Sequence, residues 1–127
     1  MIIWRALRMS ELLLARADEI GEGASKGFSV SWQGELIEGF LVQQNGELYA
    51  YRNNCPHTGA PLDWMPDQFM DVEGRYIQCS MHGALFQVED GLCIYGPCVS
   101  RRLEPLPIEI VQDEIRLLTR QEKPRSQ

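Results

Sequence analysis

The two histidines of this 127-residue chain each follow a cysteine at short spacing, and this pairing constrains the fold more than any other feature. The pairs are Cys55-x-His57 and Cys79-x-x-His82. Cysteine and histidine at such spacings are typical metal ligands. Because residues 58–78 separate the two pairs, a fold that uses both must bring two distant loops together.

Each of these loops supplies one cysteine and one histidine, and this mixed composition indicates an iron–sulfur cluster. In a Rieske 2Fe–2S centre two thiolates hold one iron and two imidazoles hold the other, so each loop would give one ligand to each iron. A zinc site tends to pair like ligands with like. The sequence therefore favours the cluster over a zinc-stabilised interaction module. Chance is favoured least, because it would have to account for every histidine of the chain.

Short strands separated by turn residues are predicted along the rest of the chain. Asn45-Gly46 and Asp90-Gly91 favour tight turns, because their residues tolerate positive φ. Strands are predicted over residues 28–32, 36–43, 47–51, 76–79, 84–88, 92–95, 107–111 and 114–118, the last two joined at Gln112-Asp113. This pattern predicts an all-β fold, either an antiparallel sandwich or a small barrel.

The two ends of the chain are less specific than its middle. Ser10 could cap a leucine-rich helical turn over residues 10–17, but a strand fits equally well. Residues 121–127 are polar apart from one proline and predict a flexible tail. No repeat or linker divides the sequence, so residues 1–127 are predicted to form one domain.

Charge and hydropathy narrow the choice of partners and compartment. The formal net charge of −6 argues against nucleic acid and against anionic membrane surfaces, since both attract basic patches. No apolar run approaches the length of a signal-peptide core or a membrane span. We therefore expect a cytoplasmic protein with no membrane partner. In a reducing compartment the four cysteines favour metal binding over disulfides.

At the two ligand boxes the chain resembles the Rieske family. The resemblance runs from about Phe40 to Leu106 and depends on Cys-Pro-His-Thr-Gly-Ala-Pro-Leu at 55–62 and Cys-Ser-Met-His-Gly-Ala-Leu-Phe at 79–86. The Asp90-Gly91 turn fits the family as well. Gly96-Pro97 is similar to the family's proline loop, which packs over the cluster. The resemblance implies a Rieske-like antiparallel fold with a two-loop subdomain that holds one 2Fe–2S cluster per chain.

The resemblance also implies ligand roles and a function. Cys55 and Cys79 would bind the buried iron, and His57 and His82 would bind the outer one. Similarity to the small soluble Rieske-type ferredoxins implies an electron carrier, reduced by a flavin-type reductase and oxidised by a terminal oxygenase or similar acceptor. The alternative within the family is a small Rieske subunit of a larger reductase, such as assimilatory nitrite reductase.

The sequence does not contain residues for substrate chemistry of its own. A mononuclear iron oxygenase needs two more histidines and a carboxylate, and both histidines are already assigned to the cluster. No glycine-rich dinucleotide fingerprint is present either. We therefore predict an electron carrier, which is a component of an oxidoreductase system and not itself an enzyme.

Departures from the family's pattern indicate a low reduction potential. High-potential respiratory members carry an extra cysteine in each loop, joined as a disulfide, where this chain has Ala60 and Met81. They also carry a serine and a tyrosine, whose hydroxyls bond cluster sulfur, where this chain has Ala84 and Phe86. Fewer hydrogen bonds to sulfur leave the reduced, more negative cluster less stabilised.

Two further features have more than one interpretation. Residues 63–71 contain Trp, Phe and Met side chains that could form a docking patch, although packing onto the core is favoured. Cys93 and Cys98 lie close to Gly96-Pro97 in the sequence. We expect them to be small buried side chains and not ligands or a disulfide.

Overall fold

The computed structural model describes residues 12–32, 34–56, 62–63, 67–79 and 83–118, with the side chain of Trp32 excepted. Within these residues it contains nine β-strands and one short 3₁₀ helix at Ala17–Glu19. The strands are β1 Leu13–Arg16, β2 Ser25–Trp32, β3 Glu35–Gln44, β4 Glu47–Arg52, β5 Tyr76–Gln78, β6 Leu85–Gln87, β7 Cys93–Tyr95, β8 Ile108–Val111 and β9 Glu114–Leu117. None of the helices in the described part of the chain is long and apolar enough to cross a membrane.

The strands form three antiparallel sheets of three strands each, in the orders β1-β9-β8, β2-β3-β4 and β5-β6-β7. Both hairpins that the sequence predicts most directly are present. Asn45 and Gly46 join β3 to β4 with φ of 57° and 79°, and Gln112 and Asp113 join β8 to β9 with φ of 54° and 69°. Two successive positive φ values are the signature of the tight turn that matches the twist of a hairpin. The predicted all-β fold is confirmed.

The structure settles the choice left open at the N-terminal end. Leu13–Arg16 is a strand that pairs with β9, so a helix over this part of residues 10–17 is wrong. Leu14 is buried against Ile115 in the same apolar cluster, and this packing outweighs the local helix propensity of the leucines. The flexible tail predicted at 121–127 lies outside the described residues.

Two apolar cores lie on opposite faces of the sheet β2-β3-β4. Successive side chains of a strand point to opposite faces, and on β3 Phe40 and Leu41 are both fully buried. Leu41 belongs to the terminal-side core, which also contains Leu12, Leu14, Ile20, Ile37, Ala50, Leu106, Ile115 and Leu117. Phe40 belongs to the loop-side core, which also contains Val42, Tyr51, Cys55, Leu62, Phe69, Ile77, Cys79, Ala84, Phe86, Val88, Cys93, Cys98 and Leu103.

The segment 63–71 packs onto the loop-side core at its C-terminal end. The ring of Phe69 stacks on that of Phe40 at 4.3 Å between centroids and is 1% exposed. The Asp67 carboxylate accepts a hydrogen bond of 2.7 Å from the Gly27 amide, which ties the segment to β2. The favoured interpretation of this segment is therefore confirmed for Phe69. Trp64 lies outside the described residues, so the docking-patch alternative is not tested there.

Phe69→Ala should weaken the loop-side core strongly. Truncating a buried phenylalanine typically costs about 3–5 kcal/mol, because transfer free energy is lost and a cavity remains. We expect the free energy of opening at the β3 amides, measured by native-state hydrogen exchange, to fall by that amount. Val72→Ala is the matched control, since Val72 directly follows this segment and is fully exposed. Equal effects of the two substitutions would contradict the packing of Phe69.

Candidate metal centre

Cys55 and Cys79, two of the four predicted ligands, lie in one buried region. Cys55 follows the end of β4 and is 1% exposed, and Cys79 follows the end of β5 and is 0% exposed. Both side chains belong to the loop-side core, so the fold brings together the cysteines of two loops that are far apart in sequence. His57 and His82 lie outside the described residues.

The first ligand loop is closed at its base by Asn53. The side-chain oxygen of Asn53 accepts a 2.7 Å hydrogen bond from the Leu62 amide, and its Nδ2 donates to the Asp63 carboxylate at 3.1 Å. The Asn53 amide donates to the Glu38 carbonyl at 2.9 Å, which ties the loop base to β3. Sequence reasoning missed this residue. The available signal was an asparagine before the box and an aspartate directly after it, a pair suited to bridging a loop.

The second ligand loop is closed by its own backbone. The Cys79 amide donates to the Ala84 carbonyl at 2.9 Å, and the Gly83 amide donates to the Cys79 carbonyl at 2.9 Å. Gly83 has φ of 67°, a left-handed conformation that glycine adopts without steric cost. Both backbone polar groups of Cys79, its amide and its carbonyl, are thus hydrogen-bonded within the loop.

The predicted proline loop packs against this second ligand loop. A Cβ placed on Gly96 would lie 2.9 Å from the Ala84 Cα and 3.0 Å from the Ala84 Cβ, distances that real Cβ atoms essentially never reach or reach only under compression. Gly96 also has φ of 106°. Glycine is therefore required twice here, for the backbone conformation and for the close approach.

Cys93 and Cys98 form a buried thiol pair in the same core as Cys55 and Cys79. Each is 1% exposed, and their sulfur atoms are 2.9 Å apart, with Cys98 donating to Cys93 and Cys93 donating to the Tyr95 carbonyl at 3.3 Å. Burial, followed by the hydrogen bond with Cys93 and the charges of the neighbouring cysteines, raises the pKa of Cys98 to about 12. The expected burial of both side chains is confirmed.

The donor set and its surroundings fit an iron–sulfur cluster. Cys55 and Cys79 would provide soft sulfur ligands, which iron–sulfur clusters require. Leu62, Phe86 and the other apolar neighbours shield these sulfurs from water. Ala84 and Phe86, which replace the hydroxyl-bearing residues of high-potential relatives, are 1% and 0% exposed and lie in the same core.

Comparison with known proteins decides the family. The sequence profile of the Rieske [2Fe-2S] domain matches residues 10–117. The chain belongs to the Rieske family. Its cofactor is accordingly a Rieske-type 2Fe–2S cluster. The buried sulfurs of Cys55 and Cys79 fit the iron of such a cluster that is held by two thiolates.

Individual relatives agree with this assignment. The chain is 36% identical over 92 residues to the ferredoxin component of the naphthalene 1,2-dioxygenase system of Pseudomonas aeruginosa, which covers 72% of this chain and 79% of that protein. It is 31% identical over 81 residues to human apoptosis-inducing factor 3, but that match spans only 12% of the larger protein. Among solved structures, the ferredoxin of carbazole 1,9a-dioxygenase from Nocardioides aromaticivorans IC177 superposes with a TM-score of 0.65 at 26% identity, covering 84% of this chain and 94% of that one.

Gly96→Ala should destabilise the ligand loops more than a glycine substitution without steric overlap. Gly34→Ala is the matched control, because Gly34 has φ of 81° but no atom within 4 Å of the added Cβ. The control should cost about 1 kcal/mol through the left-handed backbone alone. Gly96→Ala adds overlap with Ala84, which costs about a further 1–3 kcal/mol.

The rate of cluster loss in the presence of an iron chelator, followed by visible absorbance, measures this difference. We expect clearly faster loss in Gly96→Ala than in Gly34→Ala. Identical rates would mean that the contact between Gly96 and Ala84 does not support the second ligand loop.

Proposed function

We propose that this protein is the ferredoxin component of an oxygenase system, carrying single electrons from a flavin-type reductase to a terminal oxygenase. The observation that carries this proposal is the 36% identity to the dioxygenase ferredoxin component, over 79% of that protein's length. A match over most of a small carrier supports the same role, whereas a match to a fragment of a large enzyme would not.

The proposed cluster ligands are Cys55, His57, Cys79 and His82. Each loop contributes one thiolate and one imidazole, the arrangement of a Rieske centre, and both cysteines lie in the loop-side core. When bound, the cluster supplies a site that gains and loses one electron. The chain's own contribution is to hold the two loops, through Asn53 on the first and the Cys79–Ala84 hydrogen bond on the second.

Exposed apolar side chains on both sides of Gly96 support docking of a partner near the second ligand loop. Ile94, Tyr95 and Val99 are 38%, 64% and 53% exposed and flank Gly96, which packs against Ala84. Apolar side chains of this size at the surface favour protein contacts. A partner that contacts one or more of these three side chains would lie close to the second ligand loop.

His82→Ala should abolish the Rieske spectrum and electron delivery together, because it removes one of two imidazole ligands. Cys93→Ser is the matched control, since it changes a buried sulfur that is not a proposed ligand. We expect the control to keep the absorption and electron paramagnetic resonance spectra of the wild type.

Electron delivery is measured by mixing the reduced protein with the oxygenase component of a carbazole 1,9a-dioxygenase in a stopped-flow instrument. Wild type and Cys93→Ser should each deliver one electron per chain, and His82→Ala none. An unchanged spectrum after His82→Ala would contradict the ligand set. A normal Rieske spectrum without transfer to any oxygenase or reductase tested would contradict the carrier role.

We also propose that the protein works in the cytoplasm and that residues 1–127 form one domain. The similarity to ferredoxin components of dioxygenase systems supports the proposed compartment. The family match over residues 10–117 leaves little sequence for a second domain within this chain.

We propose a reduction potential at the lower end of the Rieske range, which spans roughly −150 to +300 mV. Ala84 and Phe86 carry no hydroxyl, and both are buried where a hydroxyl would be shielded from water. A tenfold change in a one-electron equilibrium corresponds to about 59 mV, or roughly 1.4 kcal/mol, which one charge-assisted hydrogen bond can supply.

Ala84→Ser and Phe86→Tyr should each raise the potential, by some tens of millivolts to about 100 mV, because each adds a donor that stabilises the more negative reduced cluster. Ala50→Ser is the matched control, since Ala50 is buried in the terminal-side core. It should leave the potential unchanged. Protein-film voltammetry measures all four proteins, and a wild-type value well above zero would contradict the low-potential proposal.

A further inference from the structure

The Arg101 side chain reaches from the segment after the proline loop to the first ligand loop. Its Nη1 donates a 3.0 Å hydrogen bond to the backbone carbonyl of Pro56. Pro56 stands between Cys55 and His57, the two ligands proposed for this loop. Arg101 therefore holds the peptide that links one proposed ligand to the other.

The backbone of Arg101 is itself fixed, so its side chain extends from a rigid base. The Arg101 carbonyl accepts a 2.8 Å hydrogen bond from the Cys93 amide, and the Arg101 amide donates to the Cys98 carbonyl at 2.9 Å. Cys93 and Cys98 are both buried in the loop-side core. Ordering a long side chain costs less entropy when its backbone is already held.

The charge of Arg101 is not neutralised by a carboxylate of the described residues. The other arginines in that part of the chain each pair with one: Arg16 with Asp18, Arg52 with Glu35 and Glu104, Arg75 with Glu73, Arg102 with Asp90, and Arg116 with Glu114. In a chain with a net charge of −6, an uncompensated cation next to a ligand loop is the exception. The positive charge of Arg101 lowers the free energy of any state in which groups near the loop carry more negative charge.

We propose that Arg101 is a positioning residue for the cluster, which holds the first ligand loop through Pro56 and favours the reduced state through its charge. This inference deepens the proposed function, because it depends on Cys55 and His57 being ligands. The reduced cluster carries one more negative charge than the oxidised cluster, so removal of the cation should shift the equilibrium toward the oxidised form.

Arg101→Gln, Arg101→Lys and Arg102→Gln separate the charge from the contact. Arg102 is the matched control, because its replacement changes the net charge equally while its guanidinium lies 3.7 Å from the Asp90 carboxylate. Arg101→Gln should shift the reduction equilibrium roughly threefold toward the oxidised form, about 30 mV lower in potential. Arg102→Gln should shift it less, and Arg101→Lys should restore the wild-type value.

Two measurements on the cluster-containing protein test the proposal, namely the reduction potential by protein-film voltammetry and amide hydrogen exchange in the first ligand loop. We expect faster exchange at Cys55 in Arg101→Gln than in Arg102→Gln. Equal potentials and equal exchange in these two variants would overturn the role of Arg101 while leaving the proposed function intact. If the wild type shows no Rieske spectrum, the proposed function itself fails and this inference fails with it.

Discussion

The burial of two cysteine sulfurs from two distant loops in one apolar core is the constraint on which the rest of the structure depends. Cys55 and Cys79 are almost inaccessible to water, and they come from loops that residues 58–78 separate in the sequence. If these are the ligands, as proposed, the free energy of cluster binding contributes to folding of the loops. The hydrogen bonds of Asn53 and of the Cys79–Ala84 backbone close the two loops at their bases, and the Asn53 amide ties the first loop to β3.

The central sheet β2-β3-β4 separates the loop-side core, which contains Cys55 and Cys79, from the terminal-side core on its other face. Phe40 and Leu41 are neighbours on β3, yet they are buried in different cores because they point to opposite faces. The terminal-side core contains no cysteine among its described residues and is built from aliphatic side chains and alanine. Its described side chains therefore pack by apolar contact alone, on the face of the sheet opposite Cys55 and Cys79.

Much of this architecture could be predicted from the sequence because its signals are local. Asn45-Gly46 specified a hairpin through backbone preferences alone, and the two ligand boxes specified a cluster through residue type and spacing. The strand at Leu13–Arg16 could not be separated from a helix, because a leucine-rich run fits both and its pairing with β9 is a tertiary contact. The same reason explains why the contact of Arg101 with Pro56 was not predicted, since the two residues are 45 positions apart.

The pairing of the first and last strands has a consequence for how such a domain can be joined to others. The Leu117 amide donates a 3.0 Å hydrogen bond to the Leu12 carbonyl, so the two ends of the described chain leave the fold side by side. Both ends adjoin the terminal-side core, on the other face of the central sheet from Cys55 and Cys79, the proposed ligand cysteines. Closely spaced termini allow insertion or fusion with little strain. A larger polypeptide can therefore join such a domain at either end without adding chain to the face of the central sheet that bears Cys55 and Cys79.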